Sequence, residues 1–128
     1  MIIGTGLDIV NIERIERVLL RWGDRFLERV YTGREIDRCQ RRAHSAECFA
    51  TRFAAKEAFL KALGSGLRHG IHWREIEVEN DPSGRPFLLL HGKAKEILHA
   101  CRVERTHLTL SHDRPFAVAQ VLLEGRER

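Results

Sequence analysis

Arg52-Phe53-Ala54-Ala55-Lys56-Glu57-Ala58-Phe59-Leu60-Lys61-Ala62-Leu63 is the stretch on which the fold turns. With Phe49 one turn upstream, Phe53, Leu60 and Leu63 fall on one helical stripe at three-and-four spacing, the pattern of a core-facing helix. Lys56 lies inside that stripe, where an ordinary core helix carries leucine. An ammonium there must snorkel to water, find an anion or accept a large desolvation cost. Glu57 sits at the edge of the stripe with Lys61 four residues on. The two form either a solvated surface pair or a polar site at the helix edge. Gly64-Ser65-Gly66 follows, which ends the helix and permits close approach of a ligand to the backbone.

Upstream, Ile2 to Val10 predicts a buried strand with Ile3, Thr5, Leu7 and Ile9 on one face and Gly4, Gly6, Asp8 and Val10 on the other. A carboxylate on so apolar a strand needs a cation or several donors, and the glycines leave room beside it. Asp8 is therefore a candidate metal ligand, with capping of the next helix as its alternative. Ile12, Ile15, Val18, Leu19 and Trp22 then mark a helix ended by Gly23, with Arg14, Arg17 and Arg21 on its polar side. Such a face is solvated, or docks an acidic partner helix. From Phe26 to Arg42 one or two short helices are expected, Thr32 being an N-cap and Glu35 its capping-box acid. Arg38, Arg41 and Arg42 add charge ahead of the central helix.

Downstream the periodicity changes. Glu75 to Glu79 alternates, Asp81-Pro82-Ser83-Gly84 supplies a turn, and Pro86 to Leu90 returns, which predicts a hairpin. Ala94, Ile97, Leu98 and Cys101 mark another helix, and Leu108 and Leu110 a strand ending at Ser111-His112. Phe116 to Leu123, apolar on both faces except Gln120, is expected in the middle of a sheet. The order implies an α+β domain with a mainly antiparallel sheet packed against helices. His112 is a candidate phosphate contact or a structural histidine.

The 128 residues, 43% hydrophobic, suit one domain spanning 1–128 with one core. A net charge of +4 anticipates acidic partners. Cys39, Cys48 and Cys101 form no C-x-x-C pair and fit reduced thiols in the cytoplasm. His44 and Cys48 are spaced like metal ligands, but no second such pair completes a zinc site. No leader peptide or membrane span is expected.

Gly6-Leu7-Asp8-Ile9-Val10, the Arg52 to Ala58 segment with Lys61 and the Gly64/Gly66 loop, and Ser111-His112 together resemble the holo-acyl-carrier-protein synthases, the short bacterial 4'-phosphopantetheinyl transferases. The resemblance runs the length of the chain. It implies the fold of that family and magnesium-dependent transfer of the 4'-phosphopantetheine arm of coenzyme A to a serine of apo acyl carrier protein, with adenosine 3',5'-bisphosphate as the other product. Asp8 and Glu57 would hold magnesium, and Asp8, Glu57 and Lys61 would carry the chemistry. Lys61 and Lys56 would hold the pyrophosphate, Arg52 and His112 the 3'-phosphate, and Gly64, Ser65, Gly66 and Pro86 would lie along the co-substrate. The serine's base would be Glu57, directly or through water, or a water near Asp8. The resemblance also implies a homotrimer with sites between subunits, and the Arg14, Arg17 and Arg21 face would dock the acidic carrier protein. The resemblance favours a carrier of fatty-acid synthesis, with polyketide or peptide synthesis as the alternative. The competing class, a basic nucleotide- or nucleic-acid-binding module without chemistry, explains the charge but leaves Asp8 and Glu57 without purpose.

Overall fold

The computed structural model describes residues 1–64 and 70–126. Strand β1 (Ile2–Asn11) leads into helices α1 (Ile12–Trp22), α2 (Asp24–Val30), α3 (Gly33–Gln40) and the long α4 (Ser45–Leu63). A 3-10 turn (Trp73–Glu75) precedes β2 (Ile76–Asn80) and β3 (Pro86–Leu90), then come α5 (Gly92–Ala100), β4 (Val103–Asp113) and β5 (Phe116–Gly125). β5 is the centre of an antiparallel sheet of order β1-β5-β4, as its two apolar faces require, and β2 and β3 form a separate antiparallel hairpin.

α4 lies across one face of that sheet, against β1 and β5. Ala117, Ala119, Val121 and Leu123 of β5 are fully buried beneath it. The contact is unusually close. A Cβ at Gly6 would run into the Ala58 carbonyl oxygen, and one at Gly4 into that of Ala62. The two glycines are thus there to let helix and strand backbones meet, rather than to make room beside Asp8. Small residues on α4 serve the same end, with Ala54, Ala55, Ala58 and Ala62 all buried.

The central helix is not amphipathic in the manner its Phe/Leu stripe suggests. Its alanines pack on the sheet while Phe49, Phe59 and Leu60 fill the core elsewhere, so even Thr51, Arg52 and Lys56 are buried. An element enclosed on nearly all sides has no solvent face to produce a period.

Local signals place the other helices. Thr32 Oγ1 accepts from the Glu35 amide at 3.2 Å and Glu35 Oε1 accepts from the Thr32 amide at 2.9 Å, the expected capping box. Asn11, not Asp8, caps α1, its Oδ1 accepting from the Arg14 amide at 3.1 Å. Gly23 (φ 52°) and Gly64 (φ 78°) end α1 and α4 in backbone conformations that favour glycine.

The expectation of reduced thiols is overturned for two cysteines. Cys39 and Cys48 form a disulfide across the α3–α4 turn, their Cα atoms 5.3 Å apart, while Cys101 is free. The tight reversal between the helices brings the pair together, which spacing along the chain does not reveal. No helix among the described residues is long and apolar enough to cross a membrane.

Candidate functional site

Two cavities hold the charged residues that the sequence singles out, and they share no lining residue. The first, about 320 Å³, is lined by Asp8, Arg14, Phe53 and Glu57 among others. Strand β1 brings Asp8 to its α4-facing side, where it pairs in register with Ala119 of β5. Lys61 Nζ donates to Asp8 Oδ1 at 2.9 Å and to the Leu7 carbonyl at 3.0 Å. Glu57, one turn before Lys61 and half-buried, has its carboxyl pushed above the usual range by burial and then by the Asp8 carboxylate. A half-buried Glu57 carboxyl beside a second carboxylate, with one cation at their edge, forms a site that gains from a bound divalent ion. Among the described residues no group of three His, Cys, Asp or Glu side chains forms a metal site. That donor set fits magnesium, which takes one or two carboxylates and completes its octahedron with phosphate and water.

The second cavity, about 590 Å³, is basic. Arg38, Arg42, His44, Arg52, Pro86 and His112 line it together with Glu47, Cys48 and Asn80. Arg52 is 5% exposed. One Arg52 terminal nitrogen donates to Asn80 Oδ1 at 2.9 Å. Burial, and then Arg38 and Arg42, lower its pKa while Glu35 raises it. The Nε atoms of Arg38 and Arg52 are both buried with no hydrogen-bond partner among the described residues. With Arg38, Arg42, Arg52, His44 and His112 around it, the cavity is suited to an anion. His112 Nε2 stands 3.6 Å from Glu47 Oε2, and Arg114 Nε donates to Glu47 Oε1 at 2.8 Å.

The sequence-predicted residues therefore separate into groups. Asp8 and Glu57 line the first cavity, with Lys61 joined to it through its bond to Asp8, and Arg52, Pro86 and His112 meet at the second. Arg52 and Glu57 lie five positions apart on α4, so about 140° of helical turn separates them. Lys56 reaches neither cavity. It is 0% exposed, and its ammonium donates to Glu35 Oε1 at 2.8 Å and to the carbonyls of Ile76 at 2.6 Å and Trp73 at 3.2 Å. With its donors engaged in the core, Lys56 has none to offer a pyrophosphate. Gly64 caps α4, whereas Ser65 and Gly66 lie outside the described residues. Arg14, Arg17 and Arg21 are exposed along α1, Arg14 at the mouth of the acidic cavity and Arg21 stacked 5.1 Å over the Trp22 ring.

Arg38, Arg42, His44 and Asn80 were not among the expected binding residues. The positive charge of Arg38 and Arg42 is plain in the sequence, but nothing in the pattern tells that the α3–α4 turn folds it toward Arg52.

A family model described as the 4'-phosphopantetheinyl transferase superfamily matches residues 4–119. The holo-[acyl-carrier-protein] synthase of Geobacter metallireducens is 52% identical over 97% of this chain and 98% of its own. Among solved structures, a holo-[acyl-carrier-protein] synthase from Neisseria meningitidis superposes with a TM-score of 0.88 at 34% identity, covering 97% of this chain and 99% of that one. A holo-(acyl-carrier-protein) synthase from Bacillus anthracis, in complex with CoA (3',5'-ADP), does so with a TM-score of 0.80 at 38% identity, covering 98% and 99%. Match, identity and fold agree over nearly the whole length, and the chain belongs to the 4'-phosphopantetheinyl transferase superfamily.

Proposed function

We propose that this chain transfers the 4'-phosphopantetheine arm of coenzyme A to a serine hydroxyl of an acidic apo acyl carrier protein and releases adenosine 3',5'-bisphosphate. The observation that carries this reading is the meeting of Asp8, Glu57 and Lys61 at one cavity edge, two acids and a cation where a pyrophosphate must be neutralised. Magnesium held by Asp8 and Glu57 would supply charge neutralisation at the pyrophosphate oxygens and polarise the phosphorus under attack. Lys61 is the cation for the departing phosphate oxygens. Glu57, whose proton affinity is raised, suits the task of taking the serine proton, directly or through a water. The guanidinium groups of Arg38, Arg42 and Arg52, with His112 in the same cavity, suit the 3'-phosphate that coenzyme A carries at its other end.

The separation of these groups supports sites shared between copies of the chain. With the acidic and basic cavities distinct in one chain, a single coenzyme A would span the acid pair of one copy and the arginines of the next. The sheet offers a surface for such assembly. Its face away from α4 exposes Leu7 (60%), Ile9 (61%) and Phe116 (45%), with Val118 and Leu122 half-buried between them. An apolar patch of this kind is what a closed ring covers, and a homotrimer is the ring we assign. Arg14 lines the acidic cavity, Arg17 and Arg21 follow it along the exposed side of α1, and the three are the docking face for the carrier. The cytoplasm is the compartment.

The test is the intact mass of apo acyl carrier protein after incubation with the chain, coenzyme A and magnesium. A gain of about 340 Da, the mass of the transferred arm, is expected with the wild type and lost with Glu57→Gln or without metal. Binding of coenzyme A with no mass gain on any carrier protein would leave a binding module instead.

A further inference from the structure

Lys56 and Glu35 form an ion pair, at 2.8 Å, in which both side chains are 0% exposed. Four elements converge on it. Lys56 comes from α4 and Glu35 from α3, the Trp73 carbonyl belongs to the 3-10 turn and the Ile76 carbonyl to β2. Glu35 is equally committed: Oε1 also accepts from the Thr32 amide at 2.9 Å, and Oε2 accepts from the Val78 amide at 2.9 Å. The Tyr31 ring lies 5.5 Å from the ammonium.

A pair so placed is not explained by stability. Desolvating two charges costs about as much as their attraction returns, and apolar substitutes are often as stable or more so. What such a pair supplies is a discrete geometry, because its hydrogen bonds are satisfied in only one arrangement. Here that arrangement concerns the helix that carries the site. Lys56 directly precedes Glu57 and lies one turn beyond Arg52, so a rotation or slide of α4 about this point moves both residues. The close approach of Ala58 and Ala62 to Gly6 and Gly4 fixes α4 on its sheet side, and the ion pair fixes it on the side toward α3 and β2.

We propose that the Glu35–Lys56 pair is a positioning device for the transfer reaction, setting the rotation and register of α4 so that Glu57 and Arg52 reach their separate cavities. The proposal rests on the phosphopantetheinyl transfer assigned above. The same pair fastens α4 to the 3-10 turn and β2, so the hairpin's Asn80, which holds Arg52, is carried in the same frame. Burial lowers the pKa of Lys56 while Glu35 raises it, which makes the carboxylate the group that keeps the ammonium charged.

Glu35→Asp tests this, because it keeps the charge and shortens the arm by one methylene. The expected result is a rise of roughly tenfold in both the KM for coenzyme A and the magnesium concentration for half-maximal rate, as for an ångström-scale misplacement. The KM for carrier protein stays unchanged. Val103→Ala, a core change remote from both cavities, serves as a control at matched distance below its own Tm and should alter neither quantity. A second variant, Glu35→Gln with Lys56→Met, removes both charges and should show the same two rises; wild-type constants in it overturn the proposal. Glu35→Asp with wild-type constants, or with losses no larger than those of Val103→Ala, overturns the proposal while leaving the transferase assignment standing. A wild-type chain that transfers nothing overturns the assignment itself, and the proposal with it.

Discussion

The disulfide between Cys39 and Cys48 closes the segment that carries Arg42 and His44 onto the basic cavity, and Cys48 itself lines that cavity beside Arg52. The bridge ties the last turn of α3 to the first turn of α4. It therefore restrains the basic side chains that surround the unpartnered Arg38 and Arg52 donors.

Reduction of that bond by a dithiol should act on both stability and binding. A cross-link spanning a sequence separation of 9 contributes about 2.5 kcal/mol through the unfolded chain. Loss of that amount lowers the Tm by on the order of 10 °C for a domain of this size. The KM for coenzyme A should rise several-fold, since Arg42 and His44 are released, with kcat little changed. Calorimetry and kinetics with and without dithiol, and on Cys39→Ser with Cys48→Ser, check this. Equal KM in both redox states would mean that the turn holds its place unaided.

Lys61→Ala separates chemistry from stability. The Lys61–Asp8 pair is half open to water on the lysine side, and exposed pairs of this kind contribute about 1 kcal/mol or less. The Tm should shift by a few degrees at most. Loss of the cation for the departing phosphate oxygens should lower kcat by on the order of a hundredfold. Kinetics at saturating coenzyme A read this directly, and a variant within a factor of two of wild type would remove Lys61 from the reaction.

How much of this was visible in the residues differs by element. The capping box at Thr32 and Glu35, the central position of β5 and the β2–β3 hairpin were legible because each depends on local chemistry or on alternation. Asp8 and Glu57 stood out as acids in apolar runs, and they do share a cavity. Lys56 was equally conspicuous for the same reason, yet its anion proved to be Glu35 from a preceding helix. A buried ligand site and a buried ion pair look alike in sequence, since both place a charge among apolar neighbours. The disulfide and the inward turn of Arg38 and Arg42 depend on how α3 reverses into α4, which no period reports.

If Glu57 acts as proposed, its raised proton affinity should give the activity an acid limb. Its carboxyl holds its proton to higher pH than an ordinary glutamate, because burial and the Asp8 charge both oppose ionisation. For the metal-free protein the sign is clear: the folded state binds the proton more tightly than the unfolded chain, so Glu57 disfavours folding as pH rises through its native pKa. Magnesium held by Asp8 and Glu57, as proposed, would compete with that proton. Apparent magnesium affinity should therefore fall as pH drops through the native Glu57 pKa, and the thermal stabilisation given by magnesium should be larger at pH 8 than at pH 5. Glu57→Gln should abolish this difference. Thermal scans at the two pH values with and without metal measure it, and equal stabilisation at both would take Glu57 out of the metal site.

Assembly can be tested by complementation. If each site draws Glu57 from one copy and Arg52 from its neighbour, Glu57→Gln and Arg52→Ala are each inactive but their mixed assemblies contain intact sites. Random mixing after dissociation should restore about a quarter of wild-type activity. Leu7→Asp, on the uncovered sheet face, should give a folded single chain without activity, as seen by sedimentation and circular dichroism. Failure of the mixture to recover activity, with exchange verified by mass, would place the whole site within one copy.

The α1 face makes a prediction about the carrier protein alone. Arg14, Arg17 and Arg21 repeat at helical spacing on the exposed side of α1, and Arg14 also lines the cavity of Asp8 and Glu57. An acidic helix laid along them would bring the acceptor serine to the carboxylates. Such contacts act mainly through encounter and are screened by salt over a distance of about 10 Å at 0.1 M. Arg14→Glu with Arg21→Glu should raise the KM for carrier protein by on the order of a hundredfold and flatten its salt dependence. Arg17→Glu with Arg21→Glu should act in the same direction with the KM for coenzyme A held, because neither of those arginines lines either cavity. A salt dependence as steep in the double variant as in the wild type would move the docking face away from α1.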